Sequence, residues 1–199
     1  MKKNIFHKCV AAVITVFAFA LVSNAQTSPS AFPNIKIDNF GQIDKGYYRG
    51  AQPVAADYQS LKDLGIKTIV DLRDDPTDYE KSSAEAVGLK YVNIPMSGWK
   101  TPKDKDVDQF LALLKDPTTG TVYVHCKAGI HRTGITAAVY RMTKYGWDYD
   151  KAYQEMKNYH FTSGLVHGAL KGYVKDYAQK LAAQGPAAKT GPVTAAIAN

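Results

Sequence analysis

Thr121-Val-Tyr-Val-His-Cys-Lys-Ala-Gly-Ile-His-Arg-Thr-Gly134 decides how this 199-residue chain is read. Its opening, Thr121 to Val124, is rich in β-branched side chains and predicts a strand. From Thr133 onward, Ile135, Ala138, Val139 and Met142 recur at helical spacing. Between strand and helix stand Cys126 and Arg132, with five residues separating them. A loop of this length can curl so that several backbone N–H groups point at one centre. The N-terminus of the following helix adds partial positive charge, and together they suit a tetrahedral oxyanion. Gly129 permits the tight turn and Gly134 allows close helix packing.

The same field acts on Cys126. A thiol at a helix N-terminus beside an arginine ionises with a pKa of about 3.5–7.5. It is then a nucleophile at neutral pH. Arg132 offers a planar fork that grips two oxygens of a phosphate at once, which a lysine cannot do. Thr133 is placed to donate to the thiolate, and His125 to support the loop. Lys127, Ala128, Gly129, Ile130, His131 and Arg132 form the expected phosphate-binding loop.

Working outward, short apolar runs alternate with helical patterns. Strands are expected at Tyr47–Arg49, Ile66–Leu72, Leu89–Ile94 and Thr121–Val124. Helices are expected at Pro53–Leu64, Thr77–Val87, Lys103–Leu114, from Thr133, near Tyr149–Tyr159 and at Leu165–Leu181. Alternation of this kind predicts an α/β fold, a mostly parallel sheet of four to five strands with helices on both faces. Ligands of such sheets bind beyond the carboxyl ends of the strands, where residues 125–134 fall.

The N-terminus carries Lys2, Lys3 and Lys8, then a 13-residue apolar run from Val10 to Val22, then Ser23-Asn24-Ala25. This is the layout of a secretory signal peptide, and the run is shorter than the roughly 18–20 residues that span a bilayer. Residues 1–25 are therefore expected to be a signal peptide, 26–39 an extension, 40–182 the catalytic domain and 183–199 a disordered tail. The expected location is periplasmic or secreted, without stable membrane insertion after cleavage. Cleavage removes three lysines and no acid, lowering the net charge from +7 to +4, too small a surplus to argue for nucleic acid. It also removes Cys9, leaving Cys126 as the single cysteine.

His-Cys, five residues, then Arg-Thr resembles the signature of cysteine-dependent protein tyrosine phosphatases. The stretch from Arg132 through Tyr140-Arg141 to Gly146-Trp147 and Ala152 resembles the dual-specificity members. Gly46-Tyr47-Tyr48-Arg49 with Ala51-Gln52-Pro53 and Asp71-Leu72-Arg73 resembles their atypical branch related to plant and fungal enzymes, here as an exported bacterial type. The resemblance covers about Phe40 to Tyr177. It implies a cysteinyl-phosphate intermediate hydrolysed by water, and no metal or other cofactor. It also implies an aspartate general acid in the loop before the helix that precedes the signature strand. In this chain that region runs Pro95-Met-Ser-Gly-Trp-Lys-Thr-Pro-Lys-Asp-Lys-Asp106. Where several relatives place an Asp just after the proline, Met96 and Ser97 stand. Asp104 is the first candidate and Asp106 the second, although acids in a first helical turn also stabilise its dipole. Asp71 is a weaker candidate, better suited to a structural place at a strand end.

Other readings of the same residues fit less well. A metal set drawn from His125, Cys126 and His131, with His160 or His167, matches no standard zinc spacing. A sulfur-transfer enzyme does not call for the Arg-Thr-Gly ending. The expected function is hydrolysis of phosphate monoesters, as a phosphotyrosine or dual-specificity protein phosphatase. The alternatives are an inositol phosphate or phosphoinositide phosphatase, and a pseudophosphatase that binds phosphorylated ligands without turnover. Trp99 or Tyr48 could wall an aromatic slot. Lys127, His131, Lys100, Lys103 and Lys105 could instead attract a polyphosphorylated molecule.

Overall fold

A computed structural model describes residues 31–164 and 167–184. The expected leader, residues 26–30 of the extension and the tail from residue 185 lie outside the described residues. The chain divides after Ala31, and the second unit carries the fold.

Its core is a five-stranded sheet. The strands are β1 (Gly41–Asp44), β2 (Tyr47–Gly50), β3 (Thr68–Arg73), β4 (Lys90–Met96) and β5 (Val122–His125), in the order β1-β2-β5-β3-β4. All pairings are parallel except β1 with β2. The helices are α1 (Asp57–Asp63), α2 (Asp78–Ala86), α3 (Asp104–Lys115), α4 (His131–Tyr145), α5 (Tyr149–Asn158) and α6 (Gly168–Ala183). The expected α/β class and its mostly parallel sheet are what the structure shows.

Alternating side chains of the central strands feed two cores, as in parallel sheets covered on both faces. Ile69 and Tyr123 join Tyr58, Leu61, Ile66, Ala84 and Leu89 beneath α1 and α2. Val70 and Val124 join Val107, Phe110, Ile135 and Val139 beneath α3 and α4. Helix α4 is buried almost throughout its first turns, which fixes the loop that leads into it.

Four features differ from the sequence reading. The first strand, β1, was not expected, because Gly-Gln-Ile-Asp carries one apolar side chain and a bulge interrupts its register. Helix α1 begins at Asp57 rather than Pro53: the Asp57 carboxylate accepts from the Val54 N–H, so residues 54–57 close a turn first. Residues 32–39 pack on the domain, with Ile37 buried and Phe32 edge-on to Phe40 at 5.2 Å. Helix α6 runs to Ala183, where the sequence reading begins a tail.

Candidate active site

Strand β5 delivers His125 and Cys126 to the carboxyl end of the sheet, and α4 starts five residues beyond Cys126. Gly129 turns the intervening loop with φ +65°. A Cβ there would lie 2.3 Å from the carbonyl carbon of Gly50, so this position admits no side chain. The loop carbonyls face inward-pointing donors. Asn39 Nδ2 donates to Gly129 O at 2.8 Å, Arg49 Nη2 donates to the same oxygen, and Gln52 N–H donates to Lys127 O at 3.2 Å. Carbonyls anchored this way leave the N–H edge of the loop to the pocket.

Cys126 is 3% exposed at the floor of a pocket of about 340 Å³. Burial opposes ionisation of its thiol. The Thr133 hydroxyl and N–H, the Arg132 guanidinium and the Ile130 N–H outweigh it, and the thiol is held below its ordinary value. Thr133 Oγ1 is buried with no oxygen or nitrogen acceptor, and the group it acts on is the sulfur.

Arg132 reaches the same pocket. Its Nη1 donates to Asp74 Oδ1 at 2.9 Å and to Met96 O at 3.1 Å. Among the described residues, no acceptor takes Nε or Nη2, the pair that forms the other edge of the fork. Gly98 lies beside the guanidinium, where a Cβ would be 3.7 Å from Cζ.

His125 is fully buried behind Cys126. Its Nε2 lies 3.0 Å from Glu80 Oε2 and its Nδ1 lies 3.9 Å from Asp71 Oδ1, at ion-pair distances but off the line of an aligned hydrogen bond. Among the described residues, Asp71, Glu80 and His125 are the one set of donors grouped closely enough to hold a cation. Their carboxylates already accept from Tyr58 Oη, Thr77 Oγ1, Tyr91 Oη and the Arg73 N–H. The network braces β3, α2 and the end of β5 against one another. Burial pushes the Asp71 carboxyl up, and Asp71 does not line the pocket.

The two preferred acid candidates lie elsewhere. Asp104 Oδ1 accepts from Tyr173 Oη at 3.0 Å and Oδ2 from Lys180 Nζ at 2.9 Å, so its carboxyl faces α6. Asp106 lies in the first turn of α3, where its N–H bonds Lys103 O, and it too is absent from the pocket wall. The acids that do line the pocket are Asp74 and Asp75, from the loop after β3. Neither carries a signal in the sequence beyond its place in a loop at the carboxyl end of a parallel strand, where ligands are met.

Trp99 forms part of the wall, stacked on His167 at 5.3 Å, and His167 stacks on His131 at 3.6 Å. Tyr48 does not join it, packing instead against Phe32 and Phe40. Lys127 lines the pocket, whereas Lys100, Lys103 and Lys105 are exposed away from it.

Known proteins carry the same architecture. Dual specificity protein phosphatase TpbA of Pseudomonas aeruginosa strain UCBPP-PA14 is 29% identical over 120 residues, covering 60% of this chain and 53% of the relative. Inositol diphosphatase DSP3 of Arabidopsis thaliana is 32% identical over 110 residues, covering 52% of this chain and 53% of the relative. The chain thus spans about half the length of these curated relatives. The crystal structure of P. aeruginosa TpbA superposes with a TM-score of 0.60 at 26% identity, over 72% of this chain and 86% of that one. Residues 28–170 match the family model described as DSP-PTPase phosphatase fused to NAD+ kinase, and the chain belongs to that phosphatase family.

Proposed function

We propose that the protein hydrolyses phosphate monoesters through a cysteinyl-phosphate intermediate. One observation carries the reading: a buried cysteine with a lowered thiol pKa shares a pocket with an arginine whose Nε–Nη2 edge meets no acceptor among the described residues. In this mechanism the Arg132 edge and the loop N–H groups hold the three non-bridging oxygens. The Cys126 thiolate attacks phosphorus opposite the leaving oxygen. Thr133 supports the sulfur as thiolate before attack and again when water releases phosphate. Positioning and fixed charge are the terms expected to dominate such a transfer. The loop residues Lys127 to Arg132 serve as the phosphate cradle and His125 as its support.

Among substrates, an aryl phosphate such as phosphotyrosine is favoured. The Trp99–His167–His131 stack offers a flat wall for a ring. Asp75, held ionised by Arg73, puts negative charge at the mouth, which disfavours a polyphosphorylated inositol, and Lys100, Lys103 and Lys105 do not offset it there. The relative named as a dual specificity protein phosphatase fits this reading, and the inositol diphosphatase relative marks the competing one. Export belongs to the same proposal, supported by the lysine leader and apolar run of residues 1–25. No described helix is long and apolar enough to cross a membrane.

The test is turnover of phosphotyrosine peptide, phosphoserine peptide and an inositol phosphate, with and without chelator. The proposal requires chelator-resistant hydrolysis, fastest on phosphotyrosine. A faster rate on the inositol phosphate would reverse the substrate assignment. Oxyanion binding without turnover of any ester would identify a pseudophosphatase. Mass measurement of the exported chain checks cleavage after Ala25.

A further inference from the structure

Building on the cysteine-phosphatase reading of the same pocket, we propose that Asp74, in the loop after β3, is the general acid. The segment before α3 supplies no acid to the pocket, because Met96, Ser97 and Gly98 occupy its near end and Asp104 is turned to Tyr173 and Lys180. Four ionisable groups besides Cys126, Lys127 and Arg132 face the pocket: Asp74, Asp75, His131 and His167.

Three of the four are ill-placed to give up a proton. Asp75 spends both oxygens on the Arg73 guanidinium, at 3.2 and 3.0 Å, which leaves neither free to face the ester oxygen. His131 has its Nε2 3.2 Å from Thr162 O, burial pushes its pKa down, and the neutral ring then commits its one N–H to that carbonyl. His167 is held face-on between His131 and Trp99.

Asp74 has the required freedom. Among the described residues only its Oδ1 is engaged, by Arg132 Nη1 at 2.9 Å, and its side chain is 47% exposed at the pocket. A protonated carboxyl can accept from Arg132 on Oδ1 while its Oδ2–H donates to the ester oxygen. Arg132 grips phosphate with its other edge, so the acid and the leaving group share one anchor. As the S–P bond forms and the P–O bond breaks, the proton passes from Oδ2 to the departing oxygen. The resulting Asp74 carboxylate then takes a proton from the water that attacks the cysteinyl phosphate. That step frees inorganic phosphate and the Cys126 thiolate and restores the acid.

The test is kcat/KM across aryl phosphates, from the dinitrophenyl ester, whose phenolate leaves unaided, to the phenyl ester, whose phenolate needs a proton. Asp74→Asn keeps an oxygen for Arg132 but cannot donate an acidic proton. It should stay within about tenfold of wild type on the dinitrophenyl ester and fall about 100-fold or more on the phenyl ester. Asp74→Glu should recover part of the phenyl activity. An equal loss across the series would make Asp74 a positioning residue for Arg132 only and overturn the assignment. So would full phenyl activity in Asp74→Asn, or a leaving-group-dependent loss in Asp104→Asn or His167→Gln. A wild-type chain inert on every ester would overturn the phosphatase reading itself, a separate outcome.

Discussion

Arg49 is fully buried and donates from Nη2 to the carbonyl of Gly129, 80 residues away, at the crown of the Cys126 loop. Its guanidinium stacks 4.0 Å above the Tyr159 ring, and its Nε and Nη1 are buried without acceptors. No carboxylate bonds to it among the described residues. Burial lowers the pKa of Arg49, and Cys126 is among the groups whose negative charge opposes that shift. The attraction is mutual, so the buried cation favours the thiolate.

Replacing Arg49 by methionine should therefore raise the Cys126 pKa. Removing the positive charge leaves the thiolate less stabilised, so the acid limb of kcat/KM moves to higher pH. The pH dependence of iodoacetamide alkylation should move the same way. Arg49→Lys should shift it less. If Arg49 only braces the loop, Tm and kcat fall while the alkylation midpoint stays in place.

Gly129→Ala should disable the loop. The added Cβ meets the Gly50 carbonyl carbon at 2.3 Å and must also adopt a positive φ. The loop has to move off β2, and misplacement of about 1 Å in such a site costs about 100-fold in rate. Vanadate binding by calorimetry should weaken in parallel with activity. Wild-type affinity in this variant would show that the cradle does not depend on this contact.

Asp104→Asn should leave catalysis nearly untouched. The Lys180 hydrogen bond, then Tyr173, hold the Asp104 carboxyl below its ordinary value. Its contribution to stability is thus present above the unfolded carboxylate value and fades as pH falls through the lower folded value. At neutral pH the variant should lose under about 1 kcal/mol, as exposed pairs do, and that difference should shrink in acid. Denaturant melts at two pH values measure it, and a large fall in kcat would return Asp104 to the acid role.

How far the sequence reveals this site follows from the reach of each signal. Cys126, Arg132 and the loop between them are local, so spacing and the strand-to-helix change of period place them together. Helix α3 and its apolar face are legible for the same reason. The partners that shape the loop are not local: Asn39 and Arg49 act on Gly129 across 90 and 80 residues. Asp74 comes to Arg132 across 58 residues, through the parallel pairing of β3 with β5. Nothing in Arg-Asp-Asp-Pro says which carboxylate turns inward. Asp104 misleads because a first-turn acid looks the same whether it serves a helix dipole, a lysine or a substrate.

The most direct test of the account is phosphate release from an aryl phosphate by Cys126→Ser beside wild type, with phosphate binding measured on the same samples. The variant should show no turnover and retained oxyanion binding, because Arg132 and the loop amides remain. Turnover by Cys126→Ser at the wild-type rate would contradict it.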